Sequence, residues 1–386
     1  MDGLPLSGIT VVELCHSVAG PYAGAILADL GADVIKIENP DGGDYARDWG
    51  PPFAHGVATL FQVLNRNKAG ITLNLRDPGA RQQLQDLIIT RADAFIQNLR
   101  PGTVAKLGLG PDDLLPLKPE LIYCDLGAFG QTGPLKSHPG YDPLMQAFGG
   151  LMSVTGTAGG EPVRVGTSII DMGSGMWAAM GILAALQRRH ATGRGGHVAT
   201  SLFETSLAWM APHITGYLAT GHMRPRMGSG VSEIVPHQAF ATSDGHVMVA
   251  AGNDNLFKLL VRALDRPELA SDPLFATNSA RVANRQNLIA TLEGIFASES
   301  TAEWLRRLDA VGVPSAPIQS VDEVVSAEQT QAIGMLQKVP DLDLTLVGVP
   351  LSFDGVRPAC RRSAPGLGEH NDVLTTSQNK GEMAGR

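Results

Sequence analysis

Short apolar runs rich in β-branched residues alternate with helical patterns along the first 130 residues of the chain. The runs are too short for buried helices and are bounded by glycine, proline and small polar residues, which is typical of buried strands. The predicted strands are 9–14, 32–38, 71–75, 94–97 and 121–126, and the predicted helices are 22–30 and 79–90. Such alternation predicts an α/β fold with a mostly parallel sheet that helices cover on both faces.

The carboxyl ends of parallel strands lie at one edge of a sheet, and ligands of α/β proteins bind beyond that edge. Four loops are predicted there, and they begin at Cys15, Asn39, Asn98 and Gly127. The first loop lacks the GxGxxG pattern, so the sequence does not indicate a dinucleotide site.

Asp171 begins a long apolar stretch that predicts a buried helix over residues 171–187. The small residues Gly173, Ser174 and Gly175 follow it, and they leave room for a ligand near the backbone. Backbone N–H groups at a helix start favour an ionised carboxylate there. An ordinary N-cap remains the alternative interpretation of Asp171.

The pattern changes again near residue 223, where a smaller unit is predicted with strands over 238–242 and 246–251 and helices around 254–264, 280–297 and 301–311. The predicted organisation is a large Rossmann-like domain over 1–190 and a linker over 191–225. A small α+β domain follows over 226–325. Residues 326–386 form a second linker and the C-terminal part of the large domain, which is thus assembled from both chain ends.

Composition and charge narrow the class of protein. The 386 residues carry a formal net charge of −8, which argues against nucleic acid or an anionic membrane as a partner. No uninterrupted apolar run is long enough to span a bilayer, and no secretory signal is visible. The three cysteines are far apart in sequence, so neither a metal site nor a disulfide framework is indicated, and a cytoplasmic location is expected.

Several sequence segments, taken in order, carry a family resemblance. They are LSGITVVELCHSVAGPYAG, LGADVIKIE, GGDYARDWGPPF, NRNKAGITLNLRDPG, NLRPG with LGLG, GYD, VGTSIIDMGSGM and LGEHND. With these segments the chain resembles the class III CoA-transferases, the family of formyl-CoA transferase and carnitine CoA-transferase, from about residue 4 to residue 374. It is similar in particular to the dicarboxylate enzymes, such as succinate–hydroxymethylglutarate CoA-transferase.

The resemblance implies a reaction and the residue that performs it. Asp171 would attack a small acyl-CoA, with succinyl-CoA expected, and CoA would pass to a short carboxylic or dicarboxylic acid through anhydride and aspartyl-CoA thioester intermediates. A carboxylate suits this exchange because it is both nucleophile and leaving group. The resemblance implies CoA thioesters as substrates without a prosthetic group or metal, and an interlocked homodimer.

The resemblance also implies binding residues for CoA and substrate. They are His16, Ser17, Val18, Arg47, Leu73, Arg76, Asn98, Leu99, Arg100, Lys106 and Tyr141. Gly173 is a candidate oxyanion donor, and Gly228 and Gly230 are candidates for a closing lid. Asn39 stands where relatives have an arginine that stacks on adenine, so that contact is in doubt. For His16 and Arg47 an ordinary surface role remains open.

Tyr141 bears on the alternative reactions. The racemases of the same fold carry a histidine at this point, whereas a phenol is a poor base at neutral pH. Tyr141 therefore favours acyl transfer over an acyl-CoA racemase or isomerase. A packed tyrosine is the structural alternative, and a non-catalytic CoA-binding protein is the third hypothesis.

Overall fold

The structure is a computed structural model that describes residues 3–340 and 342–374. The chain forms two compact units, here called unit 1 and unit 2. Unit 1 contains residues 3–150, 166–210, 328–340 and 342–374, and unit 2 contains residues 151–165 and 211–327. Unit 1 therefore combines residues from both halves of the chain.

Strands and helices of the described residues are numbered here in chain order. Strands β1 to β13 are Thr10–Leu14, Asp33–Glu38, Phe53–Ala54, Val57–Ala58, Lys68–Thr72, Ala94–Gln97, Ile122–Gly127, Gly196–Ser201, His237–Ala241, His246–Ala250, Ser315–Pro317, Leu336–Lys338 and Thr345–Val347. Helices α1 to α16 are Ala19–Asp29, Thr59–Asn65, Pro78–Arg91, Thr103–Lys106, Pro111–Leu114, Asp142–Phe148, Leu151–Val154, Ile169–Thr192, Leu202–Trp209, Ala211–Thr220, Asp254–Ala263, Asn278–Ala283, Arg285–Phe296, Thr301–Ala310, Val321–Ser326 and Glu328–Ala332.

A six-stranded sheet forms the centre of unit 1, in the order β5-β2-β1-β6-β7-β8. Every neighbouring pair of its strands is parallel. Helices α1 and α8 pack together beside this sheet, and side chains of α3 join the apolar core that contains Val12, Phe95 and Tyr123. The prediction of an α/β fold with a mostly parallel sheet is confirmed.

The bounds of β5 differ from the prediction. The apolar pattern predicted a strand over 71–75, whereas β5 begins at Lys68 and ends at Thr72. Lys68 is fully buried, and its ammonium bonds to Glu13 and Asn65. From the sequence alone, a lysine is expected at the surface and not in a buried strand. The predicted start of β5 was therefore placed too late in the chain.

Helix α8 is longer than predicted, since it extends from Ile169 to Thr192. By length and composition alone it could cross a membrane, which corrects the expectation that no apolar run is long enough. Half of its most apolar window is buried inside the protein, as in the core helix of a globular unit.

Unit 2 is an α+β unit with a small antiparallel sheet in the order β11-β10-β9. Its core contains Phe240, Phe257, Phe296 and Trp304, and the Phe240 and Phe296 rings stack with centroids 4.7 Å apart. The predicted linker over 191–225 holds regular elements, since β8 and α9 belong to unit 1 and α10 belongs to unit 2.

Candidate active site

The loop that follows β1 and the loop that follows β6, at the centre of the parallel sheet, are joined by the side chain of Asn98. In the sheet, β1 lies between β2 and β6. The connection from β1 therefore runs towards β2 on one side, and the connection from β6 runs towards β7 on the other side. Such a switch point opens a crevice at the carboxyl edge. The Asn98 amide bridges the loops, because its Oδ1 accepts the His16 N–H at 3.0 Å and its Nδ2 donates to the His16 carbonyl at 2.8 Å.

A cavity of about 350 Å³, here called the inner cavity, opens at this crevice. Its polar and aromatic lining residues are His16, Ser17, Tyr45, Asn98, Arg100, Thr103, His138, Tyr141 and Asp171. Leu99 also lines it. Burial lowers the pKa of His16 below its ordinary value, so its imidazole is neutral at neutral pH. Tyr141 and Arg100 are exposed at this cavity.

A second cavity of about 310 Å³, here called the outer cavity, adjoins the first. Both cavities are lined by His16, Tyr45 and Leu99. Leu73, Arg76 and Asn39 line only the outer one of the two. The residues that the sequence assigned to CoA thus fall mostly on two adjoining cavities beyond the carboxyl ends of β1, β2, β5 and β6.

Asp171 lies at the base of the inner cavity, in the first turn of α8. The N-cap of α8 is Ser168, three residues earlier, so the interpretation of Asp171 as an ordinary N-cap is wrong. The Asp171 side chain is only 7% exposed, and within residues 3–340 and 342–374 its carboxylate has no hydrogen-bond donor. A buried carboxylate without a donor is costly, and it is unusual outside functional sites.

The carboxylate of Asp142, and not that of Asp171, accepts hydrogen bonds from the backbone N–H groups at the N-terminus of α8. One oxygen of Asp142 accepts the backbone N–H groups of Ile170, at 2.7 Å, and of Asp171, at 3.2 Å. Its other oxygen accepts the Gln146 amide at 2.6 Å. Burial, together with the nearby Asp142 charge, raises the pKa of Asp171 to about 7. The expectation that helix N–H groups keep Asp171 ionised is therefore wrong, because Asp142 already occupies them.

The small residues after Asp171 serve helix packing. A Cβ on Gly175 would lie 2.6 Å from the Ala19 carbonyl oxygen, and one on Gly173 would lie 2.9 Å from the Trp209 indole nitrogen. Gly173 is in the second turn of α8, where a backbone N–H bonds to the carbonyl four residues earlier. This position does not support Gly173 as an oxyanion donor.

Three other predicted binding residues do not line the two cavities. The Arg47 guanidinium makes two hydrogen bonds to the Glu38 carboxylate, at 2.9 and 2.7 Å, and lies over the Phe61 ring. Val18 is buried at the N-cap of α1, and Lys106 is exposed at the end of α4. These bonds hold the Arg47 guanidinium at Glu38, outside the lining of both cavities, and its contact with CoA stays a prediction.

Gly228 and Gly230 belong to unit 2, where they form a tight turn. The Gly228 N–H donates to the Gly156 carbonyl at 2.9 Å, and the Gly230 N–H donates to the Met227 carbonyl at 3.0 Å. Gly228 has a φ of 63°, which favours glycine. A lid at this turn stays a prediction.

Sequence reasoning missed His138, Tyr45 and Asp142 as site residues. Asp142 and Tyr45 lie inside two of the family segments, GYD and GGDYARDWGPPF, and that was the available signal. No local pattern reveals that Asp142 bonds to a helix that begins 27 residues later. Among the described residues, no group of three or more His, Cys, Asp or Glu side chains could hold a metal ion.

The family of this chain is shown by comparison with known proteins. The sequence matches CoA-transferase family III over residues 6–371. It is 36% identical to succinyl-CoA:glutarate CoA-transferase from Mus musculus over 369 residues. The aligned residues cover 95% of this chain and 84% of that protein. It is 38% identical to acetyl-CoA:oxalate CoA-transferase from Acetobacter aceti over 372 residues. The aligned residues cover 96% of this chain and 95% of that protein.

The fold agrees as well. The crystal structure of a CAIB/BAIF family protein from Brucella suis matches with a TM-score of 0.87 and 38% identity, over 97% of this chain and 99% of that chain. The chain therefore belongs to CoA-transferase family III, which confirms the resemblance drawn from its sequence segments and identifies it as a CoA-transferase.

Proposed function

We propose that this enzyme transfers CoA from succinyl-CoA to a short dicarboxylic acid, with Asp171 as the covalent nucleophile. The observation that carries the proposal is the Asp171 carboxylate itself, which is buried, has no hydrogen-bond donor among the described residues and lines the inner cavity. Because no donor among the described residues holds its oxygens, this carboxylate is free to attack the carbonyl carbon of a substrate in that cavity. The donor and the acceptor class follow from the relatives that act on succinyl-CoA, glutarate and oxalate.

The proposed reaction begins at the thioester carbonyl. The Asp171 carboxylate attacks it, the carbon–sulfur bond breaks, and a mixed anhydride and CoA thiolate form. The thiolate attacks the aspartyl carbonyl and expels succinate, which leaves an aspartyl-CoA thioester. The acceptor carboxylate then attacks this thioester and releases the thiolate. The thiolate finally attacks the acceptor carbonyl of the second anhydride, which yields the new acyl-CoA and restores Asp171.

The pKa of Asp171 supports this role. With a pKa of about 7, roughly half of the Asp171 population is ionised at neutral pH, and the ionised form is more basic than an exposed aspartate. A more basic carboxylate is the stronger nucleophile. Water exclusion at the buried carboxylate also limits hydrolysis of the intermediates.

The outer cavity suits the nucleotide end of CoA. Leu73 offers an apolar surface at this cavity, and Arg76 offers a cation. Within residues 3–340 and 342–374, the Arg76 guanidinium makes no hydrogen bond to another group. Arginine matches phosphate oxygens through charge-assisted bonds. Arg100 is the proposed partner of a phosphate or of the distal carboxylate of the acceptor, and its exposure at the inner cavity supports this role.

A homodimer, interlocked as in the family resemblance, is part of the proposal. Its support is the apolar surface on α8, where Met176, Trp177 and Met180 are each 41–45% exposed. Exposed apolar groups of this size usually mark an interface. Sedimentation analysis is expected to give a dimer, and a stable monomer would contradict this part. A cytoplasmic location is also proposed, and the three free cysteines support it.

The alternative function is an acyl-CoA racemase or isomerase. One observation favours it, because His138 lines the inner cavity together with Asp171 and could act as a second acid or base. Incubation with a 2-methylacyl-CoA in deuterium oxide, without acceptor acid, separates the two reactions. A CoA-transferase leaves the α-hydrogen in place, whereas a racemase exchanges it.

Covalent trapping tests the main proposal. The protein is incubated with succinyl-CoA and then with hydroxylamine, which converts an aspartyl thioester or anhydride into a hydroxamate. Peptide mass spectrometry is expected to find the label on Asp171, and Asp171→Asn serves as the control without label. Turnover with the label on another residue, or with none, would overturn Asp171 as the nucleophile.

The acceptor class is tested separately with a panel of acids. Glutarate, succinate and oxalate are compared with monocarboxylates of the same chain length, with succinyl-CoA and acetyl-CoA as donors. We expect the dicarboxylates to give the higher kcat/KM. A preference for monocarboxylates would contradict the proposed acceptor and leave the trapping result unaffected.

A further inference from the structure

The loop that follows β1 contacts both cavities and holds a strained residue. His16 lines both cavities, and Ser17 lines the inner one. Ser17 has a φ of 71°, in the left-handed region that residues other than glycine rarely adopt. Such a conformation persists only where the surroundings fix it.

One buried carboxylate fixes this loop. Oδ1 of Asp44 accepts the backbone N–H of Ser17 at 2.9 Å, and it also accepts the backbone N–H of Ala46 at 3.0 Å. Asp44 therefore joins the loop after β1 to the short turn that begins at Tyr45. Tyr45 lines both cavities, and its ring lies 4.9 Å from the His16 ring. Two walls of the site are thus held by a single side chain that is 3% exposed.

Lys36 orients that carboxylate and holds the same loop at a second point. Its ammonium donates to Oδ2 of Asp44 at 2.9 Å and to the Cys15 carbonyl at 2.9 Å. Its third contact is Glu13, at 3.4 Å, and Glu13 in turn bonds to Lys68 at 2.7 Å. The four side chains are at most 1% exposed and carry two charges of each sign. Although burial alone would raise it, the Lys36 charge and the two N–H donors hold the pKa of Asp44 below its ordinary value.

We infer that Asp44, oriented by Lys36, is a positioning residue for CoA transfer, which fixes the Cys15–Ser17 loop and Tyr45 against the bound acyl-CoA. This inference rests on the proposed function. A pair needed only for stability could bond to any part of the core, whereas these bonds end on the backbone of the loop that lines both cavities. Apolar side chains of similar size could fill the same space, and buried ion pairs seldom add stability over such residues.

Asp44→Asn tests the inference, with Asp29→Asn as the matched control. Asp29 is also buried, and its carboxylate accepts hydrogen bonds from Arg66 and Asn67, but it does not line either cavity. Both variants lose one buried charge, so both are expected to unfold at a lower temperature. Only Asp44→Asn is expected to lower kcat/KM by about tenfold or more and to weaken CoA binding, measured where both variants are folded.

An equal loss of kcat/KM in both variants would overturn the inference, and so would a change of less than twofold in Asp44→Asn. The unmodified protein runs in the same assay. If it transfers no CoA, the proposed function fails, and the position of the loop is judged by CoA binding and hydrogen exchange instead.

Hydrogen exchange of the unmodified protein is a second test that does not depend on a variant. If Asp44 holds the Ser17 N–H in solution, a peptide over residues 15–18 exchanges as slowly as the strands of the parallel sheet. Exchange as fast as in the exposed loop over residues 131–138 would overturn the inference.

Discussion

The backbone N–H of Asp171 donates to the Asp142 carboxylate at 3.2 Å, so two buried carboxylates lie at the start of one helix. Asp142 carries the capping function, with hydrogen bonds to two backbone N–H groups and to Gln146. Asp171 is left without a donor among the described residues and faces the inner cavity. This separation of roles supports Asp171, rather than Asp142, as the proposed nucleophile.

Asp142→Asn is expected to shift the pH dependence of the enzyme. The amide oxygen can still accept the N–H groups of α8, but the negative charge beside Asp171 is lost. Because that charge contributes to the raised pKa of Asp171, the acidic limb of kcat/KM should move to lower pH. The Asp171 carboxylate stays buried in this variant, so the acidic limb should still lie at a higher pH than the pKa of an exposed aspartate. An unchanged limb would mean that Asp142 does not influence the titration of Asp171.

Asp171→Asn is expected to change the pH dependence of stability. The folded-state pKa of Asp171 is about 7, above the unfolded value of about 3.9, so the folded protein binds more protons between these values. Asp171 therefore costs stability as the pH rises from about 4 to 7, by about 2–4 kcal/mol in total. The variant does not titrate there. Urea unfolding at pH 5 and pH 8 should show its advantage over the unmodified protein growing with pH, and a constant difference would contradict the raised pKa.

Gly175→Ala tests the close approach of α1 and α8. The new Cβ would lie 2.6 Å from the Ala19 carbonyl oxygen, so the helices must separate, at a cost of about 1–3 kcal/mol. Gly79→Ala is the control in the same unit, since its Cβ meets atoms only at ordinary contact distance. Thermal unfolding should show a loss for Gly175→Ala and no loss for Gly79→Ala. Equal effects would mean that helix propensity, and not packing, decides.

Asn98→Ala is expected to loosen the two central loops from each other. The substitution removes both hydrogen bonds to His16 and leaves its backbone groups without these partners. We expect a loss of about 1–3 kcal/mol in stability and a higher KM for the acyl-CoA. Asn287→Ala, at an exposed position of α13 that lines neither cavity, is the control for a lost amide. The same effect in both variants would argue against a special role for the bridge.

Much of the fold follows from local patterns. The predicted strand over 94–97 matches β6 in both bounds, because four consecutive buried residues are typical of a parallel strand that is covered on both faces. The prediction for β5 was displaced, because Lys68 is buried and paired with residues distant in sequence. The single helix predicted over 280–297 is two helices that meet at Asn284. Local patterns fail where a distant partner satisfies a polar group or where two helices join without a proline or glycine.

The sequence alone determined the alternation of strands and helices, the family and the position of Asp171, since all of these are carried by residue order. Only the tertiary structure decided which carboxylate caps α8 and which is free. It also showed that Arg47 bonds to Glu38 and that Gly175 is required for helix packing. These outcomes depend on contacts between residues distant in the chain, and such contacts set the burial and the charge environment that give a side chain its chemistry.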